Sequence, residues 1–282
     1  MKKYLSLLLA LVLVPAICSA ADITSWNGTT IGPSTGNITA INGASTGQDT
    51  GNYSSWNGQA VPANADPYIK SLLHLDGADN GTTFTDETGK SWSYYINAVK
   101  TKTGTKKFGT ASGYFTWPGS YQNALYTDYH ADFDVGASDF TLDFWVYSAT
   151  GAGGGGFIGF YNPDHTIIPF GVKIDNDNTQ FGLYASSSHS SQDYGSSGNT
   201  VSSWKNTWRH IALVRQGTSY KLYVGGALYK SATVSGNPAV DANGKFSIFC
   251  AAASYDKVYV DELRFSLTAR WTADFTPPTA PY

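Results

Sequence analysis

The chain has 282 residues, of which 41% are hydrophobic, 15% aromatic and only 14% charged, whereas roughly a quarter of an ordinary soluble domain is charged. Its 19 Tyr, 14 Phe and 8 Trp exclude a disordered chain, because so many large apolar side chains can offset the entropy of ordering. A formal charge of −3 and a pI near 5.9 leave no basic footprint for a phosphate backbone, which excludes nucleic acid as a partner.

A single Met beside abundant Gly, Ser, Thr, Asn and Tyr is an alphabet for strands joined by tight turns rather than for helices. The expectation is an all-β protein.

Residues 1–20 read as a signal peptide: Lys2 and Lys3, then an apolar run over 5–14, then the small residues Cys18, Ser19 and Ala20. An apolar run of about ten residues is too short for the roughly 20 that span a bilayer. No stable membrane insertion is expected, and the destination is extracellular or periplasmic. Ile17 stands where a lipoprotein signal needs Gly or Ala, which disfavours lipidation. Cleavage removes Lys2, Lys3 and Cys18, so the formal charge becomes −5 and Cys250 has no intramolecular disulfide partner. In its apolar run, Cys250 reads as a buried small hydrophobe.

Residues 21–65 hold a repeat. Ile23-Thr24-Ser25-Trp26-Asn27-Gly28, Ile38-Thr39-Ala40-Ile41-Asn42-Gly43 and Tyr53-Ser54-Ser55-Trp56-Asn57-Gly58 recur every 15 residues. Asn-Gly is the dipeptide best suited to the positive φ angles of a tight turn, so each unit reads as a short extended arm with a turn. Such a unit is too small to bury its own Trp or Ile. The arm either packs on the following domain, or assembles with equivalent arms as a homo-oligomer through residues 22–62, or is a flexible linker left by duplication.

From residue 66 to 282, short strand patterns follow one another at sandwich spacing. Phe140, Leu142, Phe144 and Val146 alternate on one face and read as core. Residues 208–215 and 220–224 form a hairpin around Gly217, and 258–265 is a last strand, closed by the proline-rich end at 276–281. Residues 85–92 also read as a hairpin. About 215 residues in many short strands make one β-sandwich.

Several segments stand here in the order of the laminin G-like jelly-roll modules: Leu72-Leu73-His74-Leu75-Asp76-Gly77, Lys107-Phe108-Gly109, Asp139-Phe140-Thr141-Leu142-Asp143-Phe144-Trp145-Val146, Trp208-Arg209-His210-Ile211-Ala212-Leu213 and Tyr259-Val260-Asp261-Glu262-Leu263-Arg264-Phe265. The closing Ala269-Arg270-Trp271-Thr272-Ala273-Asp274-Phe275 resembles the tail of the bacterial and phage-associated branch. This resemblance implies a concanavalin A-like jelly-roll sandwich of two antiparallel sheets, used outside cells to bind glycans or protein surfaces. Fold alone does not fix function, since the same sandwich serves lectins, adhesion modules and glycan hydrolases.

Jelly-roll hydrolases flank the scissile bond with carboxylates on one strand face, and no acidic run at alternate strand positions occurs here. Asp261 and Glu262, as strand neighbours, are expected on opposite faces. The reading is therefore a secreted, non-catalytic binding module, with a glycan or a surface protein as partner. Its alternatives are a structural or adhesive component assembling through the repeats, and a glycan-cleaving enzyme with acids in separate loops. Sugar faces stack on exposed aromatics, so Trp117, Tyr121, Tyr161 and Tyr194, with Asn162, are the candidate ligand-binding residues. Calcium needs several oxygen ligands, and Asp76, Asp86 and Asp261 are its candidates for a structural site, if the end of the first strand and the last strand meet. The other reading makes Asp76 and Asp86 turn formers and leaves Asp261 at an exposed strand position.

Overall fold

The computed structural model describes residues 66–95, 98–116, 123–149, 156–161, 168–174, 180–187, 205–251 and 257–282, and six short strands before them. The signal segment 1–20, Trp117, Tyr121, Asn162, Tyr194 and the side chain of Cys250 lie outside the described residues. The chain divides into two units, Met1–Pro67 and Tyr68–Tyr282.

In the first unit, β1 (Ser25–Trp26) pairs with β2 (Thr29–Thr30), β3 (Ala40–Ile41) with β4 (Ala44–Ser45), and β5 (Ser55–Trp56) with β6 (Gln59–Ala60). Each antiparallel pair flanks an Asn-Gly dipeptide in the sequence.

The second unit is an all-β sandwich of two antiparallel sheets. Its strands are β7 (Ile69–Leu73), β8 (Ser93–Tyr94), β9 (Val99–Lys102), β10 (Ser112–Phe115), β11 (Asn123–Asp128), β12 (Phe140–Ser148), β13 (Gly156–Tyr161), β14 (Phe170–Ile174), β15 (Phe181–Ala185), β16 (Arg209–Gln216), β17 (Ser219–Val224), β18 (Ala227–Thr233), β19 (Lys245–Ala251) and β20 (Val258–Ser266). The larger sheet runs β18-β17-β16-β12-β20-β10-β9, with β7 also on β20; the smaller runs β15-β14-β13-β19-β11-β8. β7 and β10 share one edge of β20 end to end, β10 pairing with its first half and β7 with its second.

Alternation builds the core. Phe140, Leu142, Phe144 and Val146 are all fully buried, facing inward as their period of two requires. Across the sandwich Phe140 meets Phe170 at 4.8 Å between ring centroids, and Phe170 stacks on Phe265 at 5.5 Å, so aromatic pairs supply packing that disulfides would otherwise provide. β16 and β17 close over Gly217 and Thr218 as the expected hairpin, with Gln216 opposite Ser219 and Gly217 at φ +58°.

Residues 85–92 differ from the expected hairpin. They form a turn organised by Asp86, whose carboxylate accepts from Ser71 Oγ (2.6 Å), Leu72 N (3.3 Å), Thr88 N (2.8 Å), Thr88 Oγ1 (2.6 Å) and Trp92 Nε1 (3.0 Å). A local side-chain turn has replaced strand pairing. Asp86→Ala should cost about 2–4 kcal/mol, because it leaves several buried donors unmatched; urea unfolding checks this, and a loss under 1 kcal/mol would contradict it.

The larger sheet's outer face is covered. Beyond β20 the tail crosses it: Trp271 stacks on Phe275 at 4.1 Å, and both rings pack with Ala212, Val214 and Tyr223. Phe275 N donates to Gly226 O at 2.9 Å. A Cβ on Gly226 would lie 1.9 Å from the Phe275 carbonyl oxygen, so only glycine fits under the tail there.

Candidate functional site

β20 carries a bulge. Asp143 of β12 pairs with Arg264 and Trp145 with Asp261, so three steps on β20 face two on β12, and Glu262 takes φ +51°. The extra residue resets the alternation: Leu263 points into the core, while Asp261 is flanked by Trp145 and Glu262 contacts the tail that covers the outer face. This corrects the expectation that Asp261 and Glu262 point to opposite faces, which assumed an unbroken pleat.

The carboxylates gathered on this face are each engaged. Asp143 is fully buried and receives Arg264 in two bonds, Nε to Oδ1 at 3.1 Å and Nη2 to Oδ2 at 3.0 Å, with His210 Nε2 at 3.4 Å. Burial would raise its pKa, but the Arg264 charge and the His210 bond overcome burial and hold it to about 2. Glu262 lies 2.9 Å from His74 Nδ1 and accepts from Tyr282 N at 3.0 Å. The Glu262 hydrogen bond raises the pKa of His74 against the opposing effect of burial.

Of the three proposed calcium ligands, Asp86 stands apart, saturated by its five donors. Asp76 and Asp261 do come together, on the segment 107–111. Asp261 Oδ2 accepts from Lys107 N at 2.6 Å and Phe108 N at 3.1 Å, while Asp76 Oδ1 accepts from Ala111 N at 2.8 Å and Thr110 Oγ1 at 3.0 Å. Asp261 is fully buried, not at an exposed strand position, and its Oδ1 has no hydrogen-bond partner among the described residues. Burial drives its pKa up to about 7, against the two amides and with repulsion from Glu262 and Asp76. Among the described residues no group of three or more His, Cys, Asp or Glu is placed to hold a metal ion.

The bulge also aligns His210, Trp145 and Asp261 across β16, β12 and β20. His210 Nδ1, Trp145 Nε1 and Asp261 Oδ1 are buried without a hydrogen-bond partner among the described residues. Lys107 Nζ sits 4.0 Å from the Trp145 ring centroid and Phe108 meets that ring edge-on, so this row is roofed over.

Tyr161 is a correction. The sequence reading places it in an exposed loop; it is the last residue of β13, 2% exposed, and clusters with Ile168 and Tyr184 against Phe157 on the outer side of the smaller sheet. The strand simply runs further than its Gly-rich sequence suggests. Trp145 is buried, and Trp208 is half-buried against Tyr147.

The described residues form an open pocket of about 600 Å³ inside the loop of the tail, within the range of small-ligand sites. Tyr68, Arg264, Arg270, Trp271 and Tyr282 line it, with threonines and prolines of the tail. Tyr68 is 53% exposed. Arg264 is held flat by Asp143 beneath and by the Tyr282 ring, 3.7 Å from its guanidinium carbon to the ring centroid. Tyr282 OH lies 2.8 Å from His210 Nε2. Arg270 Nε donates to Ser266 Oγ at 2.9 Å and its backbone N to Thr141 Oγ1 at 3.0 Å. The sequence offered one signal for this site, Arg and Trp together in a proline-rich, non-strand stretch, but there it reads only as a family tail.

Comparison with known proteins follows the same line. The fold resembles the binding domain of Paraclostridial Mosquitocidal Protein 1, with TM-score 0.53 and 11% identity over 72% of this chain and 49% of that one. It also resembles the botulinum neurotoxin serotype D binding domain, with TM-score 0.52 and 10% identity over 72% and 49%. A third structure, described under "Cell entry of botulinum neurotoxin type C is dependent upon interaction with two ganglioside molecules", gives TM-score 0.51 and 11% identity over 72% and 48%. The chain thus spans about half the length of the solved structures it matches, and at these identities the likeness concerns the fold. No curated protein matches the sequence. The family described as the concanavalin A-like lectin/glucanases superfamily matches residues 118–273, and the chain belongs to it.

Proposed function

We propose that the chain is a secreted, non-catalytic module that binds a glycan on a cell surface, and that the tail pocket is its binding site. The observation that carries this reading is the pocket itself: an open recess of about 600 Å³ with Trp271 and Tyr68 as apolar platforms and pre-oriented Arg264 and Arg270 beside them. Sugars present an apolar ring face and a rim of hydroxyls, and this wall composition suits both. Membership of a superfamily that contains lectins supports it, as do structural neighbours that are binding domains, one described by its dependence on gangliosides.

The engagement of the outer-face carboxylates supports a non-catalytic role. Asp143 is locked by Arg264, Glu262 by His74, and Asp261 is sealed from solvent, whereas a glycosidase pair must reach the scissile bond.

A glycan array probed with the chain, its Trp271→Ala variant and its Trp117→Ala variant tests the proposal. Binding lost with Trp271→Ala and retained with Trp117→Ala assigns the tail pocket. The reverse returns the site to the sequence-based candidates Trp117, Tyr121, Asn162 and Tyr194. Absence of binding to any glycan rejects the function.

A structural role through the arm is the second reading, favoured by three backbone pairings at one period. Light scattering before and after deletion of residues 22–62 tests it, a multimer that dissolves being the supporting result. A structural calcium at Asp76 and Asp261 is compatible with either reading.

A further inference from the structure

Resting on the tail pocket as the glycan site, we infer that residues 268–282 act as a strap whose docking on the β17–β18 turn builds that site. Gly226 and Asp274 are then positioning residues that set its affinity, although neither lines it. Of the ten residues around the recess, eight belong to 268–282, and only Tyr68 and Arg264 come from outside the strap. Without the strap docked, the recess loses most of its walls.

The strap follows β20 and enters neither sheet. It is held at two places. At the pocket, the Tyr282 ring lies on Arg264 and Tyr282 N donates to Glu262 Oε2. On the β17–β18 side, Phe275 N donates to Gly226 O at 2.9 Å, Leu228 N to Asp274 Oδ1 at 2.8 Å and Lys221 Nζ to Thr272 O at 2.6 Å. Phe275 also meets the rings of Tyr223 and His210 edge-on, at 5.5 and 5.6 Å. Residues 272–274 are exposed, and an exposed segment outside the strand ladders opens at lower free energy than the strands themselves. Such an opening leaves the sandwich intact and takes the pocket apart. A glycan that needs the docked form therefore has its apparent dissociation constant raised by the reciprocal of the docked fraction, and its binding in turn holds the strap down.

The β17–β18 turn separates docking from folding. Gly225 at φ +63° and Gly226 at φ +83° join Val224 to Ala227 as a two-residue turn with both residues in the left-handed region. An added Cβ meets nothing within 4 Å at Gly225, whereas at Gly226 it would lie 1.9 Å from the Phe275 carbonyl oxygen. Both substitutions carry the same kind of backbone cost, and only the second pushes on the strap.

Amide hydrogen exchange of the full chain and its titration over a glycan array test the inference with Gly225→Ala, Gly226→Ala and Asp274→Ala. In the wild type the Phe275 amide should exchange faster than the amides of β12. Gly226→Ala should speed Phe275 exchange at least tenfold more than Gly225→Ala does, with β12 exchange alike in the two. Asp274→Ala leaves the turn as it is and frees Leu228 N to water, so it should act in the same direction, and it decides the matter should Gly226→Ala fail to fold. On the array, each glycan held by the wild type should bind at least tenfold more weakly to Gly226→Ala and within about threefold of wild type to Gly225→Ala. A Phe275 amide that exchanges no faster than those of β12 overturns the strap. Unchanged glycan affinity in a variant whose Phe275 amide has been released overturns it too, and either result leaves the glycan function intact. An array on which the wild type binds nothing rejects the pocket reading and, with it, this control of affinity.

Discussion

Asp143→Ala should destabilise the sandwich by about 3–5 kcal/mol, because it strands the Arg264 guanidinium, 8% exposed, without its counter-ion. The same change loosens the floor of the tail pocket, so if the proposed glycan site is there, binding should weaken as well, even under conditions where the protein stays folded. Asp143→Asn, which keeps the shape and loses the charge, should show most of the stability loss. The pH dependence has a definite sign. Asp143 has its pKa lowered from the usual 3.8 to about 2 in the folded state, so its contribution is fully present above pH 4 and is lost as pH falls through 2. Urea unfolding of wild type and variant between pH 2 and 7 checks this: the two curves should converge at the acid end. Parallel curves throughout would remove Asp143 as the source of the acid sensitivity.

Asp261 should act in the opposite direction. Its folded-state pKa is raised from 3.8 to about 7, so the fold favours the protonated acid. Stability from this group is present below pH 4 and lost as pH rises toward 7, by an amount on the order of 3–4 kcal/mol. With a chelator present, Asp261→Asn should match wild type near pH 4 and exceed it at pH 8, since the amide offers a neutral group at the buried Oδ1 position. Calcium makes the same residue diagnostic. If Asp76 and Asp261 hold the ion, millimolar calcium should raise the melting temperature of wild type at pH 8 and leave that of Asp261→Asn unchanged. Asp86→Ala, by contrast, should lower stability equally with calcium and with chelator, because its five donors leave the carboxylate no ligand role. Equal calcium responses in wild type and Asp261→Asn would dismiss the ion from this site.

These two aspartates show where local reading of the sequence ends. Both lie in segments quoted for the family, and both strands are visible as alternation. For Asp143 an unbroken pleat sufficed: Phe140, Leu142, Phe144 and Val146 face the core, so Asp143 must face out. What lies over that outer face is decided by the tail, more than 120 residues later in the sequence, whose Tyr282 closes on Arg264 and His210. For Asp261 even the facing could not be read, because one residue at positive φ, Glu262, shifts the alternation. The likelihood of a left-handed Glu is invisible in a run such as Tyr259-Val260-Asp261-Glu262-Leu263-Arg264. Tyr161 illustrates the same limit from the other side, since a Gly-rich approach and a following Asn-Pro signalled a loop while pairing with β19 extended the strand to include it.

By itself the amino-acid sequence determined the class of the molecule: an all-β chain, its inward-facing residues, the hairpin at Gly217 and the family. These depend on spacing within a few residues, which a period of two or an Asn-Gly dipeptide expresses directly. The tertiary structure alone decided the bulge in β20, the separation of Asp86 from Asp76 and Asp261, the burial of Tyr161 and the pocket under the tail. Each of these depends on sheet order or on a tail crossing an outer face, which bring together groups as far apart in the chain as His74 and Glu262, 188 residues from one another, and no local pattern encodes such a meeting.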